Sequence, residues 1–332
     1  MNKRDEKRLL KNAGIILKIC GRAKAGETVL ILTMRDKMLY AEALSKKAVE
    51  SGMNPLILDI TEYHGNAYKK NILNLPLKKA IEAADVVLNL QDLAGISRMT
   101  GDLKNNEDRW HTGIDRKIWI NNNAMEKWNI TEKKTANIRT RTLKLIKLLK
   151  RSKCVRVTSP CGTDFTFYLG KGYNATPVLA ICPLYGEVAI TPEDGTGHGV
   201  FVIDGPTQKG VRPYTELNKK HLKVFVEAGR AVKWEGDPVQ VKRLTAFIES
   251  GRPRADAIDE IGIPTTDYLD NDRYWWRDKT HHHDRIHIAL GNNILRSKNI
   301  HGKHHMDGEV SRATIYVDGR VIIRNGRFTG AF

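Results

Sequence analysis

Cysteine is scarce in this chain and badly spaced for chemistry: Cys20, Cys154, Cys161 and Cys182 contain no CxxC pair. That spacing excludes a four-thiolate zinc site, and a disulfide framework does not suit a chain of 332 residues. The four read as ordinary buried thiols. No run approaches the roughly 18 uninterrupted apolar residues that a membrane span needs. The segment Met1-Asn2-Lys3-Arg4-Asp5-Glu6-Lys7-Arg8 is charged, with no apolar signal segment behind it, so the expected location is the cytoplasm. No GxGxxG turn follows the first apolar strand, where Thr33-Met34-Arg35-Asp36 stands instead, and a dinucleotide site is thereby disfavoured. Acidic residues are also in deficit, 38 against 55 Lys and Arg, for a net charge of +17. Such an excess raises non-specific affinity for phosphates. The densest basic stretch, Lys133 to Lys153, nevertheless keeps Ile138, Leu143, Ile146 and Leu149 at helical spacing. Arg139, Arg141, Lys144, Lys147, Lys150 and Arg151 surround them, as on an amphipathic helix with a solvated basic face. No zinc-finger spacing or RNA-binding aromatic signature accompanies it, so nucleic acid is not an expected partner.

What is present falls into two textures. The first part alternates helices and short apolar strands. A helix over 5–22 precedes the strand Thr28-Val29-Leu30-Ile31-Leu32. A helix over 37–51 ends at Ser51-Gly52 and leads to the strand Pro55 to Ile60. Pro76 opens a third helix at its first turn, and Asp85 to Leu90 and Lys117 to Ile120 are further strands. This alternation predicts a parallel sheet covered on both faces.

From Cys154 onward the pattern is strand-rich. Val155-Arg156-Val157 and Phe165-Thr166-Phe167-Tyr168 alternate as half-buried strands, and Lys223 to Val226 is another. Asp237-Pro238 caps a helix running to Ser250. Asp318-Gly319 turns a hairpin between Ala313–Val317 and Val321–Ile323, and Asn325-Gly326 marks a further turn. The expectation is an α/β protein: an N-terminal parallel-sheet α/β domain over 1–152, then a β-rich α+β domain over 153–332.

The chemistry is concentrated in the second half. Seven of the eleven histidines lie between His281 and His305. His281-His282-His283 is a solvated run or a weak metal trap. His287 lies inside the strand-like Arg285 to Leu290, before Gly291, where it can line a cleft. In His305-Met306-Asp307 the residues i and i+2 point the same way along an extended chain, so imidazole and carboxylate can converge on one ion. Such a donor set suits zinc, manganese, cobalt or ferrous iron. His301 and His304 are neighbours that either support those ligands or stand exposed. Upstream, Glu187 and Glu260 sit among apolar, glycine-punctuated residues. Each is either an exposed strand glutamate or a buried acid that a cation would compensate.

These residues, taken in order, resemble the aminopeptidase T family of metallopeptidases and its relatives, which include the 2,5-dihydroxypyridine dioxygenases. The likeness runs through Ala23 to Ile31, Ala83 to Val87, Val157-Thr158-Ser159 with Gly162 to Phe167, and Gly186-Glu187-Val188. It continues through Glu260-Ile261-Gly262-Ile263, His287 to Gly291 and His305-Met306-Asp307. The resemblance implies that Glu187, Glu260, His287, His305 and Asp307 hold a pair of divalent ions, zinc, cobalt or manganese, with Glu260 bridging. Two such ions acidify a water and polarise a carbonyl. Glu187 or His198 would then move the proton. The function expected first is thus a metal-dependent hydrolase acting on an amide or peptide substrate, with a homodimer implied by the resemblance.

Two positions depart from the peptidase branch. No tyrosine lies between Asn292 and Lys298, and Pro264-Thr265-Thr266 replaces a Gly-x-Asn continuation. The alternative is a ferrous ring-cleaving dioxygenase using His287, His305 and Asp307 as a two-histidine, one-carboxylate triad. In that branch the position of Glu260 is a histidine, so the acid favours the two-metal arrangement. A third reading is a non-catalytic basic binding protein.

Overall fold

A computed structural model describes residues 1–62, 75–90, 116–120, 124–170, 175–179, 181–182, 186–205, 221–266, 284–291 and 305–330. The chain divides into two compact units, Met1–Thr140 with Val178–Gly186, and Arg141–Pro177 with Glu187–Phe332.

The first unit begins with helix α1 (Lys3–Ile15), capped by Asn2, whose side chain accepts from the Asp5 amide. Its end widens into a π turn over Ile16–Cys20. Strand β1 (Thr28–Thr33) follows, then helix α2 (Met38–Glu50) and β2 (Asn54–Asp59). Gly52 takes φ +74° there, and the Met53 amide returns to Ala48 O, which is the glycine stop expected at Ser51-Gly52. Helix α3 (Leu75–Ala83), β3 (Val86–Asn89) and β4 (Lys117–Ile120) complete the run. The strands pair in parallel, and Val29 to Leu32 and Val86 to Leu88 are fully buried, as a sheet covered on both faces requires. Asn12 is buried on α1, where its Nδ2 donates to Met125 O and Trp128 O at 2.7 and 2.9 Å.

Helix α4 (Glu132–Leu149) is the basic amphipathic helix. After it come β5 (Cys154–Thr158), β6 (Asp164–Tyr168) and β7 (Ala175–Val178). The two-residue β8 (Ile181–Cys182) then returns to the first sheet, whose order is β2-β1-β3-β4-β8.

The rest of the second unit is β9 (Glu187–Ile190), β10 (His198–Ile203), β11 (Leu222–Glu227) and β12 (Arg230–Glu235), helix α5 (Pro238–Ser250), then β13 (Ile258–Pro264) and β14 (Arg285–Gly291). It closes with β15 (His305–Ser311), β16 (Thr314–Val317), β17 (Arg320–Arg324) and β18 (Arg327–Phe328). One sheet has the order β12-β11-β10-β6-β5-β16-β17-β18, the other β15-β14-β13-β9-β7. In the first, β5, β6 and β11 alternate buried and exposed, so one face is wet. Phe165, Phe167 and Phe201 line its inner side, with ring centroids 5.7 and 6.3 Å apart, and join the apolar core shared by both sheets.

The second sheet differs because β9 and β13 are buried along their whole length, β14 at all but Arg285, and β15 at all but its two end residues. Its core side carries Val188, Ile190, Ile261, Ile263, Ile286, Ile288, Leu290, Met306 and Val310. By the period of two along a strand, the intervening residues point to the other side, where burial falls on acids and histidines. The architecture is therefore the mixed α/β one expected: a parallel sheet with helices, then large antiparallel sheets. Among the described residues no helix is long and apolar enough to cross a membrane.

Candidate metal centre

Register places the polar residues of the second sheet side by side. His287 on β14 stands opposite Gly262 of β13 on one side and Glu309 of β15 on the other. In the next row Ala289 lies between Glu260 and Asp307, and beyond it Gly291 faces His305. Glu187 opposes Pro264, next to the Gly262–Ala189 pair. Glu260 shares the face of His287 by alternation from Gly262, and a bulge between Ile258 and Glu260, with Asp259 the extra residue, turns Ile258 to the core side. The end of β13 is tied down from α4, whose Arg141 Nη1 donates to Thr265 O at 2.9 Å while the Thr142 and Thr265 hydroxyls meet at 2.6 Å.

Small residues make the floor. Gly262, Ala189 and Ala289 leave room over the sheet, and the His287 ring lies on Gly262. A Cβ built at 262 would overlap Cε1, Nε2 and Nδ1 of that ring. The sequence reading marked Gly262 only as part of a resemblance; the structure gives it a reason.

A chain of short contacts links the five expected ligands, of which Glu187, Glu260 and His287 form one donor group. His287 Nδ1 is 3.9 Å from Glu187 Oε2, and His287 Nε2 is 3.8 Å from Glu260 Oε1. The other Glu260 oxygen is 3.8 Å from His305 Nε2, which is 2.8 Å from Asp307 Oδ1. Glu260 thus lies between two imidazoles. Donor atoms of Glu187, Glu260 and His287 all fall within 4.8 Å of one another. Metal–ligand bonds of about 2.0–2.2 Å hold donors roughly 3–4 Å apart, so these separations and this donor chemistry fit a divalent ion. Glu187, Glu260 and Asp307 are 3, 6 and 5 % exposed, which rules out the exposed-glutamate alternative for both upstream acids. Burying three carboxylates together is expensive unless cationic charge accompanies them.

The electrostatics agree. Burial alone would lower the basicity of the His287 imidazole, but the carboxylates of Glu187, Asp307 and Glu260 outweigh it and raise the pKa to about 10. Such a field holds a proton on His287 and favours an ion in its place.

One residue of this face escaped the sequence reading. Glu309 is fully buried, and burial pushes its carboxyl well above the usual carboxylate range, Arg285 and His287 acting the other way. The signal was available, since His305-x-Asp307-x-Glu309 continues one alternation against Met306, Gly308 and Val310. A lone glutamate after a glycine nonetheless reads as solvent-facing.

His198 is not brought to the cluster. It is exposed at the start of β10, its Nδ1 3.2 Å from Thr196 O, in an open groove of about 630 Å³ with Arg156, Asp164 and Glu227. The other end of β10, Ile203, is what packs on Gly308 of β15. Five strand steps run from His198 to Ile203, roughly 16 Å. His281, His282, His283, His301 and His304 lie outside the described residues.

The model of a protein family described as NicX, 2,5-dihydroxypyridine 5,6-dioxygenase, matches residues 14–330. No curated protein matches the sequence. Among solved structures, the 2,5-dihydroxypyridine dioxygenase from Pseudomonas putida KT2440 is similar, with 17% identity over 98% of each chain and a TM-score of 0.70. Wild-type AmpT from Thermus thermophilus is also similar, at 12% identity over 97% of this chain and 99% of its own, with a TM-score of 0.59. At these identities both likenesses show the fold. Together with the family match they bear out the grouping of dioxygenase and aminopeptidase T relatives but not membership of the peptidase branch. The family match runs over nearly the entire chain, which therefore belongs to the 2,5-dihydroxypyridine 5,6-dioxygenase family.

Proposed function

We propose that this chain is a non-haem ferrous dioxygenase that opens the ring of a dihydroxylated pyridine or a closely related aromatic. What supports the reading is the placement of His287, His305 and Asp307 on one face of the second sheet, with Glu260 3.8 Å from both imidazoles, in a chain of a ring-cleaving family. Two imidazoles and a carboxylate on one side of an ion leave its other positions open, the arrangement suited to ferrous oxygen chemistry. Ferrous iron held there supplies the means for dioxygen and an electron-rich ring to react. The balance closes without a further reductant: one ring bond breaks, and both oxygen atoms enter the open-chain product.

The protein's own residues do the rest. Glu187 Oε2 lies 3.9 Å from Nδ1 of His287, where its charge favours the ring orientation that turns Nε2 towards Glu260. Glu260, equidistant from both imidazoles at 3.8 Å, is placed to accept the proton of a ring hydroxyl. Burial of the face excludes water from the reacting groups. The expected hydrolase gives way to second place. What supports it is the crowding of Glu187 and Glu260 around His287, a donor set rich enough for two ions.

The discriminating experiment uses untagged protein, loaded anaerobically with ferrous iron or separately with zinc, cobalt or manganese. Oxygen uptake with a dihydroxypyridine by the iron form, lost in His305→Ala and Asp307→Ala, is expected. Cleavage of chromogenic amino-acid amides by a two-metal form, without oxygen uptake, overturns the proposal in favour of hydrolysis.

A further inference from the structure

We infer that Ala289 is a positioning residue of this centre: its methyl group is the floor beneath the ion that His287, His305 and Asp307 hold, and the site needs that position to stay small. The inference rests on the metal-centre reading above and says where on the buried face the ion lies. Ala289 is paired with Glu260 of β13 on one side and with Asp307 of β15 on the other. Along its own strand the neighbours on the same face are His287 and Gly291, and Gly291 is paired with His305. Four of the five expected ligands therefore stand around this one alanine.

Strands in a sheet lie about 4.7–4.9 Å apart, so β13 and β15, with β14 between them, are separated by roughly 10 Å. Glu260 Oε2 nevertheless comes within 3.8 Å of His305 Nε2. These side chains lean towards one another from either side of β14, and the residues of β14 beneath their contact are Ala289 and Gly291. Ala289 is 0 % exposed, yet it is no part of the apolar core to which Ile288 and Leu290 beside it belong. Its methyl is covered on the opposite, polar face. A larger side chain there would rise between Glu260 and His305 and take the volume in which their donor atoms meet. Ala189 is the matched position for the rival arrangement. It pairs with Gly262, over which the His287 ring lies, and follows Glu187 by two residues. An ion held by Glu187, Glu260 and His287 would therefore lie on the Ala189 side.

The test uses cobalt(II), whose bond to a thiolate gives a strong near-ultraviolet charge-transfer absorption. Such a bond is about 2.3 Å long, so an introduced cysteine reports only an ion lying directly above it. Untagged parent, Ala289→Cys and Ala189→Cys are titrated with cobalt. The absorption is expected in Ala289→Cys and absent from the parent and from Ala189→Cys. Cobalt affinity, by competition with a chromogenic chelator, and melting of the metal-free protein are measured in Ala289→Gly and Ala289→Val. Ala289→Val should bind cobalt about 10–100-fold more weakly, the range found when groups that orient metal ligands are disturbed. Ala289→Gly should melt lower, because glycine weakens a strand interior, and still bind cobalt as the parent does. A purely structural role would make affinity follow melting. Cobalt bound as tightly by Ala289→Val as by the parent, or the absorption in Ala189→Cys and not in Ala289→Cys, overturns the inference. If Ala289→Val does not fold, Ala289→Cys and Ala289→Gly decide. The absorption in both cysteine variants supports an ion over Ala289 and overturns the single-ion reading of the function. A parent chain that binds cobalt no better than His305→Ala overturns the metal-centre reading instead, which keeps the failures apart.

Discussion

Gly262→Ala is the smallest change that should disable the centre without touching a ligand. The added methyl would occupy space now filled by the His287 imidazole, meeting three of its ring atoms. Carbon contacts settle near 3.5–4.0 Å, so the ring must move by more than about 1 Å or β13 must shift. Overpacking of this kind costs about 1–3 kcal/mol. For a unit of this size, at about 2–4 °C per kcal/mol, that predicts a melting point lower by roughly 2–12 °C. The effect on the site should be larger than the effect on the fold. A misplacement of about 1 Å removes on the order of 100-fold in rate, and a displaced ligand should weaken metal binding comparably, equivalent to about 2.7 kcal/mol. The assay pairs ferrous-iron affinity with thermal melting in a double-mutant cycle with His287→Ala. In the His287→Ala background the clash has no partner, so Gly262→Ala should cost almost no stability there. Unchanged iron affinity and melting in the single variant, or an equal stability loss in both backgrounds, would refute the packing argument.

Other consequences follow from single contacts. In metal-free protein, His287 with its pKa raised from 6.5 to about 10 contributes stability that is complete below pH 6.5. That contribution is lost as pH rises towards 10; melting should fall across that window in the parent, and fall less in His287→Asn. Because an ion replaces that proton, metal affinity should rise with pH over the same interval, which proton release on titration with metal would register. Asn12→Leu strips Met125 O and Trp128 O of their buried donor and should cost the first unit about 1–3 kcal/mol, read by chemical denaturation, with iron affinity unchanged. Asp237→Ala removes the cap of α5, which accepts from Val239 N at 3.0 Å and Gln240 N at 3.2 Å. It should cost about 0.5–2 kcal/mol with normal oxygen uptake.

Much of this was legible in the sequence because local rules were obeyed. The strands at Thr28, Val86 and Lys117, the glycine stop at Gly52, the Asp237-Pro238 cap and the Asp318-Gly319 hairpin all report the chemistry of a few adjacent residues. The ordered acids and histidines likewise came together, because alternation along β13, β14 and β15 puts them on one face. What stayed hidden depends on partners far along the chain. A two-residue strand such as Ile181–Cys182 has no period to read, and its return to the first sheet is a matter of topology. His198 lies on a strand as His287 does, yet it is the other end of that strand, Ile203, that packs against β15. Glu309 and Gly262 acquire meaning only through register, one as the cross-strand partner of His287 and the other as the floor beneath it. The reaction ranked first from the sequence drew on Glu260, a residue whose position between two imidazoles serves either chemistry.

The most direct test of the central claim is a turnover of the ferrous protein with 2,5-dihydroxypyridine under isotopically heavy dioxygen, followed by mass spectrometry of the product. The account predicts a ring-opened product carrying both heavy oxygen atoms, absent when His305 or Asp307 is replaced by alanine. A product whose added oxygen comes from water, or an intact ring with no oxygen consumed by fully iron-loaded protein, would contradict it.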